Sequence, residues 1–102
     1  MEFEWDENKR LKTLRERKID FVDMIDIWDD PKRQEVKDLR YNYDEPRFQT
    51  IGKLKFNIYF VVYTVRDYED GEEVIRIISA RRANKKEREL YDKMLFSARV
   101  IA

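Results

Sequence analysis

Asn57-Ile58-Tyr59-Phe60-Val61-Val62-Tyr63-Thr64-Val65-Arg66 is the stretch on which the fold turns. From Ile58 to Val65 it is apolar on both faces and rich in β-branched and aromatic residues, which predicts a central strand covered on both sides. Upstream, Phe48 to Leu54 reads as a second strand, and the interval near Lys55 suits a short hairpin turn. Downstream, Asp67-Tyr68-Glu69-Asp70-Gly71-Glu72 is a turn punctuated by Asp-Gly. Glu73 to Ala80 then returns as a third strand, with Ile75 and Ile77 on one face and Val74 and Ile78 on the other. Val36 to Tyr43 alternates weakly and is read as a further strand.

The flanks are helical. Phe3 to Trp5 alternates as an edge strand does, and Asp6 follows as the N-cap of a polar helix running to about Lys18, with Leu11 and Leu14 three apart on one face. Asp20 caps a second helix carrying Phe21, Met24, Ile25 and Trp28 at helical spacing, and Asp29-Asp30-Pro31 ends it, because the residue before proline is pushed out of helical geometry. Asn84-Lys85-Lys86-Glu87 has an N-cap residue with Glu three positions on, opening a last helix with the apolar stripe Leu90, Tyr91, Met94 and Leu95. Helices segregated from a meander of strands predict an α+β fold, with a compact antiparallel β-sheet packed by N-terminal helices and a C-terminal helix. At 102 residues the chain reads as one domain, 1–102, with no internal repeat or linker.

Charged residues make up 43% of the chain, yet 22 basic side chains balance 22 acidic ones and aromatics reach 14%, a composition that folds. The balance conceals an asymmetry: residues 1–80 carry 15 basic and 19 acidic side chains, residues 81–102 carry 7 and 3. Arg81, Arg82, Lys85, Lys86 and Arg88 concentrate this excess, as either an electrostatic footprint for phosphate or a solvated helix face. The chain has no cysteine and no histidine. That excludes disulfides, thiolate zinc sites, Ser-His-Asp triads and two-histidine ribonuclease chemistry. No Ca²⁺-loop spacing occurs, so neither a metal nor a cofactor is expected. The acidic start lacks a signal-peptide pattern, and the longest apolar run, Ile58 to Tyr63, falls far short of the ~20 residues of a membrane span. A cytoplasmic protein with no membrane partner is expected.

Without His or Cys, catalysis must rest on Glu, Asp, Lys, Arg or Tyr. The densest set is Arg66, Arg76, Ser79, Arg81 and Arg82 on the last two strands, with Glu87 and Tyr91 four apart on one face of the last helix. Arginine forks bind phosphate bidentately, and a nearby carboxylate or phenol moves a proton. These are the parts for cleaving RNA by attack of its own 2′-hydroxyl. Arg66, Arg76, Arg81 and Glu87 are therefore the catalytic candidates. Each has a structural counterpart reading: Glu87 as a helix cap, Arg76 as a cross-sheet ion pair, Tyr91 as core, and Trp5 and Trp28 as core anchors.

Several segments in order carry a resemblance. Phe3-Glu4-Trp5-Asp6 with Lys9, Trp28-Asp29-Asp30-Pro31, Glu45-Pro46-Arg47 with Ile51-Gly52, Val61 to Arg66, and Arg76-Ile77-Ile78-Ser79-Ala80-Arg81-Arg82-Ala83 followed by Glu87-Arg88 and Tyr91 resemble the BrnT family of ribonuclease toxins of type II toxin–antitoxin systems. The resemblance implies a RelE-like fold and metal-independent RNA endonuclease activity that blocks translation. It also implies neutralisation by a BrnA-type ribbon-helix-helix antitoxin, with DNA contacted only through the toxin–antitoxin complex. Arg82, Lys85, Lys86, Arg88 and Tyr91 become RNA-binding candidates, and so do Arg17 and Lys18, which stand where the family has His and Gly of a Lys-His-Gly segment. That departure leaves a second reading open, a catalytically weakened relative acting as an antitoxin-binding corepressor. In either case an acidic, partly apolar antitoxin segment is expected across Arg81 to Arg88 and Leu90, Met94 and Leu95.

Overall fold

The computed structural model describes residues 1–39 and 45–99. Its strands are β1 (Glu2–Trp5), β2 (Gln34–Asp38), β3 (Arg47–Leu54), β4 (Asn57–Asp67) and β5 (Glu73–Arg82); its helices are α1 (Glu7–Arg17), α2 (Phe21–Met24) and α3 (Lys85–Asp92). The strands form one sheet in the order β1-β5-β4-β3-β2. β2 to β5 pair antiparallel, as expected; β1 joins the free edge of β5 in parallel, so the sheet as a whole is mixed. Of the strand expected over Val36 to Tyr43, β2 realises the beginning, and residues 40–43 lie outside the described residues.

The helix boundaries follow from their caps. The Asp6 carboxylate accepts from the backbone N–H of Asn8 and Lys9, and Asp20 accepts from Val22, each satisfying donors that the first turn leaves unpaired. α1 ends at Lys18, which adopts φ +60° and donates its N–H to the Leu14 carbonyl. Glycine holds that left-handed position at lower cost than lysine does. α2 tightens into a 3₁₀ turn, Ile25–Asp29, just ahead of Pro31.

The central strand is covered on both faces. Alternate residues Val61 and Tyr63 of β4 face α2 and the 3₁₀ turn, where Ile19, Phe21, Met24, Ile27, Val61, Ile77 and Ala80 form the larger core. Phe3, Trp5 and Trp28 pack against it, so both tryptophans anchor the core. The other parity, including Phe60, meets α3 and the 3₁₀ turn Phe96–Ala98 in a smaller core of Ile51, Phe60, Tyr91 and Phe96. The register of β5 slips by one residue between Ile77 and Ser79, opposite Val62 and Tyr63. This bulge at Ile78 reverses the alternation, which returns Ala80 to the larger core and turns Ser79 and Arg81 to the same face as Arg76. Gly52 has no room for a side chain: a Cβ there would lie 2.8 Å from the Ile27 Cβ.

Candidate functional site

Arg66, Arg76, Ser79 and Arg81 share one face of the sheet, since Arg66 pairs with Val74, Arg76 with Thr64, Ser79 with Val62 and Arg81 with Phe60. Sequence reasoning gathered these residues on the last two strands but on no common face: without the bulge at Ile78, Arg76 and Arg81 would stand on opposite faces. Phe60 and Thr64 stand four positions apart on β4, roughly 13 Å at ~3.3 Å per residue.

At the open end, Arg66 and Arg76 border a hollow of about 200 Å³, together with Asp6, Lys9, Glu45 and Arg47. β1 brings Glu4 opposite Arg76, and the Arg76 Nη1 donates to Glu4 Oε2 at 2.5 Å. The Tyr68 hydroxyl, from the turn after β4, donates to the other Glu4 oxygen. That hydrogen bond first, and then Arg76 and Arg66, outweigh the effect of burial and hold the Glu4 carboxyl below its ordinary pKa. Arg66 reaches Glu45 through Nε and Nη2 at 3.3 and 3.5 Å, a loose, half-exposed contact. Lys9 lies at the start of α1, where Asp6 caps the helix, and its Nζ is 3.4 Å from the Ile78 carbonyl. Arg76 thus commits one N–H to a carboxylate and keeps the rest of its fork toward the hollow.

At the covered end, Arg81 grips Glu87 with two parallel hydrogen bonds of 2.8 and 2.9 Å and lies over the Phe60 ring. Glu87 also accepts from the Asn84 backbone N–H at 2.8 Å, while Asn84 accepts from the Glu87 N–H, completing a capping box. Burial pushes the Glu87 carboxyl up, but Arg81 and the Asn84 N–H more than offset it, and the net shift is downward. Glu87 is a saturated carboxylate that fixes Arg81 and the start of α3. It has no proton to give at neutral pH.

The expected RNA-binding residues scatter. Lys85 and Lys86 are exposed on α3 beside the exposed Arg82, and the Arg88 Nη1 donates to the Ala83 carbonyl at 2.8 Å. The expectation for Tyr91 does not hold in this geometry: the ring is 4% exposed and its hydroxyl donates to Asp30 at 2.6 Å. Burial, and then that carboxylate, push the Tyr91 hydroxyl well above its ordinary pKa. Asp30 also accepts from the backbone N–H groups of Lys32 and Lys53, so the Tyr91–Asp30 pair ties α3 to the rest of the chain. Arg17 donates to the Ala80 carbonyl at 2.8 Å, pinning the end of α1 to β5, and Lys18 is the left-handed cap.

Glu4, Lys9, Glu45 and Arg47 were missed as site residues although all four stand in the recognised segments. Their signal was membership of those segments, since nothing in local periodicity brings α1 and the approach to β3 to one hollow, or Glu4 of β1 to the Arg76 that borders it. Tyr68 lies in a turn and carried no such signal. Among the described residues, no three acidic side chains converge as metal ligands would, and no helix is long and apolar enough to cross a membrane.

No curated protein matches the sequence. A family model described as the ribonuclease toxin BrnT of a type II toxin–antitoxin system matches residues 5–87, most of the chain and all of β2 to β5. On that match the chain belongs to the BrnT family of ribonuclease toxins.

Proposed function

We propose that the chain is the toxin of a type II toxin–antitoxin pair and cleaves RNA at the open end of the sheet without a metal, through attack of the 2′-hydroxyl on the adjacent phosphate. The observation that carries this reading is the Arg66–Arg76 pair on one hollow with Lys9 beside it. Three cations from two strands and a helix match the charge that builds on a phosphorane. The scissile phosphate displaces Glu45 from its loose contact with Arg66 and accepts from the free N–H groups of Arg76. Glu4, held ionised, takes up the 2′-hydroxyl proton as the 2′-oxygen bonds to phosphorus, and Tyr68 orients it. The P–O5′ bond breaks, the departing 5′-oxygen takes a proton from water, and a 2′,3′-cyclic phosphate remains. Arg81 and Glu87 act as positioning residues, by keeping β5 and α3 in register.

The proposed neutralising partner is a BrnA-type ribbon-helix-helix antitoxin, and DNA is reached through it. Met94 and Leu95 are exposed just past the C-terminal end of α3, and Lys85 and Lys86 are exposed at its start, a surface suited to an acidic and partly apolar segment lying along the helix. The loss of the family's histidine at Arg17 does not favour the corepressor reading, because Arg17 makes a structural contact with β5 and the cationic centre is assembled without it. Two measurements test the proposal: translation after induced expression in a bacterial host, and cleavage of purified RNA in excess chelator. Growth arrest with chelator-resistant cleavage is expected. Harmless accumulation with intact RNA would leave the antitoxin-binding reading in its place.

A further inference from the structure

A second cavity, of about 210 Å³, runs between α1 and the part of β5 that extends beyond β1. It shares Lys9 and Ile78 with the hollow holding Arg66 and Arg76, so the two adjoin at the Lys9–Ile78 contact. Its helical wall is set by periodicity: Lys9, Lys12, Thr13, Glu16 and Arg17 follow the i, i+3, i+4, i+7, i+8 spacing of one face of α1. Eight residues of helix separate Lys9 from Arg17, a length of roughly 12 Å. Its floor is Ile78 and Ser79, brought there by the bulge in β5.

The charge in this groove is of a different kind from that in the hollow. Arg66 and Arg76 are paired with carboxylates. Lys9 and Arg17 rest instead on the neutral carbonyls of Ile78 and Ala80, and Lys12 makes no ion pair among the described residues. A cation on a carbonyl oxygen is oriented but not neutralised, so the groove keeps its positive potential with Glu16 alone opposing it. The cations of α3 offer no comparable track. They stand exposed on the helix surface, and the positive N-terminus of that helix is filled by its own Glu87.

Resting on the reading of the hollow as the cleavage centre, we propose that the α1–β5 groove is the track along which the RNA strand leaves that centre. Lys12 holds the phosphate next to the scissile one, and Ser79 and Arg17 line the path beyond. The substrate is then a strand extending past the cleaved bond on the α1 side. These contacts are equal in ground and transition states, so they govern affinity and not the chemical step.

The test uses a short 2′-O-methyl RNA, which cannot supply the attacking hydroxyl, labelled for fluorescence anisotropy. Lys12→Glu should weaken its binding by about 10-fold or more and flatten the salt dependence by about 0.7 of a unit of slope, as loss of one phosphate contact does for single strands. Lys86→Glu on α3 serves as the control and should change affinity less than 3-fold. In cleavage of ordinary RNA, Lys12→Glu should raise KM with kcat kept. Equal weakening by Lys12→Glu and Lys86→Glu would overturn the track, even if the wild type cleaves RNA. Wild-type protein that binds the probe through Lys12 but cleaves no RNA would leave the track standing and remove the cleavage centre instead.

Discussion

Arg76 and Arg81 stand on the same face of the same strand, each bound to a carboxylate, yet the two ends of that face differ in what the carboxylates have left to do. Glu87 is 6% exposed at its side chain and is saturated by Arg81 and Asn84. Glu4 is 25% exposed and receives one hydrogen bond on each oxygen, while Arg76 gives one N–H and retains the others. The acceptor decides the role. A fork clamped on a buried, capped carboxylate holds two elements together. A fork only partly engaged, beside a hollow, is available to phosphate.

The largest expected effect breaks the open end. Arg76→Ala and Arg66→Ala should each lower RNA cleavage by about 10²-fold or more, the loss typical of a charge-stabilising donor. Neither should move the urea midpoint appreciably, because both ion pairs are partly exposed. Unchanged cleavage in both variants would return the phosphate to the covered end.

Next in size is the reverse experiment. Arg81→Ala leaves Glu87 buried with one remaining donor, and should destabilise the protein by about 2 kcal/mol in urea unfolding, within the range for hydrogen bonds to charged groups. Cleavage measured well below the unfolding transition should stay within a few-fold of wild type. A stable variant with cleavage abolished would make Arg81 catalytic.

A smaller effect separates the ends by pH. Glu87 titrates below its ordinary value when folded, because Arg81 and the Asn84 N–H outweigh burial. Its stabilisation is therefore complete above the unfolded pKa of about 4.3 and is lost as pH falls through the lower folded value. The stability advantage of wild type over Glu87→Gln should shrink below about pH 4.3 and stay level from pH 5 to 8. The cleavage profile of the wild type should likewise lack an inflection near pH 6.5, since the chain has no histidine or cysteine. A cleavage inflection there would show that a carboxylate is raised, against the downward shift of both Glu4 and Glu87.

The fold was legible wherever chemistry is local. The double-faced run of β4, the Asp6 and Asp20 caps and the capping box at Asn84 are each set by residues within a few positions of one another. The parallel docking of β1 on β5 was not legible, because it joins segments some seventy residues apart and periodicity has no register across such a distance. The bulge at Ile78 was hidden for a related reason: Ile77-Ile78-Ser79 alternates no differently from an unbroken strand, and only the partner strand reveals the extra residue. The site was legible in part: Arg66 and Arg76, both named from the sequence, border the hollow, whereas most RNA-binding candidates came from the cation cluster at 81–88. The hollow is gathered from α1 and its cap Asp6, from Glu45 ahead of β3, and from β3, β4 and β5.

The smallest effect concerns the departure at the end of α1. Lys18 holds a left-handed φ of +60°, which glycine adopts without strain. Lys18→Gly should raise stability by roughly 0.5–1 kcal/mol, with cleavage unchanged. A stability loss would mean that the lysine's hydrogen bond to the Arg15 carbonyl outweighs the backbone strain.

The most direct measurement follows the arginine side chains themselves. Titrating 2′-O-methyl RNA into the labelled protein while recording the Nε–Hε resonances distinguishes the two ends in one experiment. Arg66 and Arg76 should shift and saturate together with the bound fraction, and Arg81, locked on Glu87, should remain where it was. A shift at Arg81 with Arg66 and Arg76 unmoved would contradict the division of the sheet into a phosphate-binding end and a structural one.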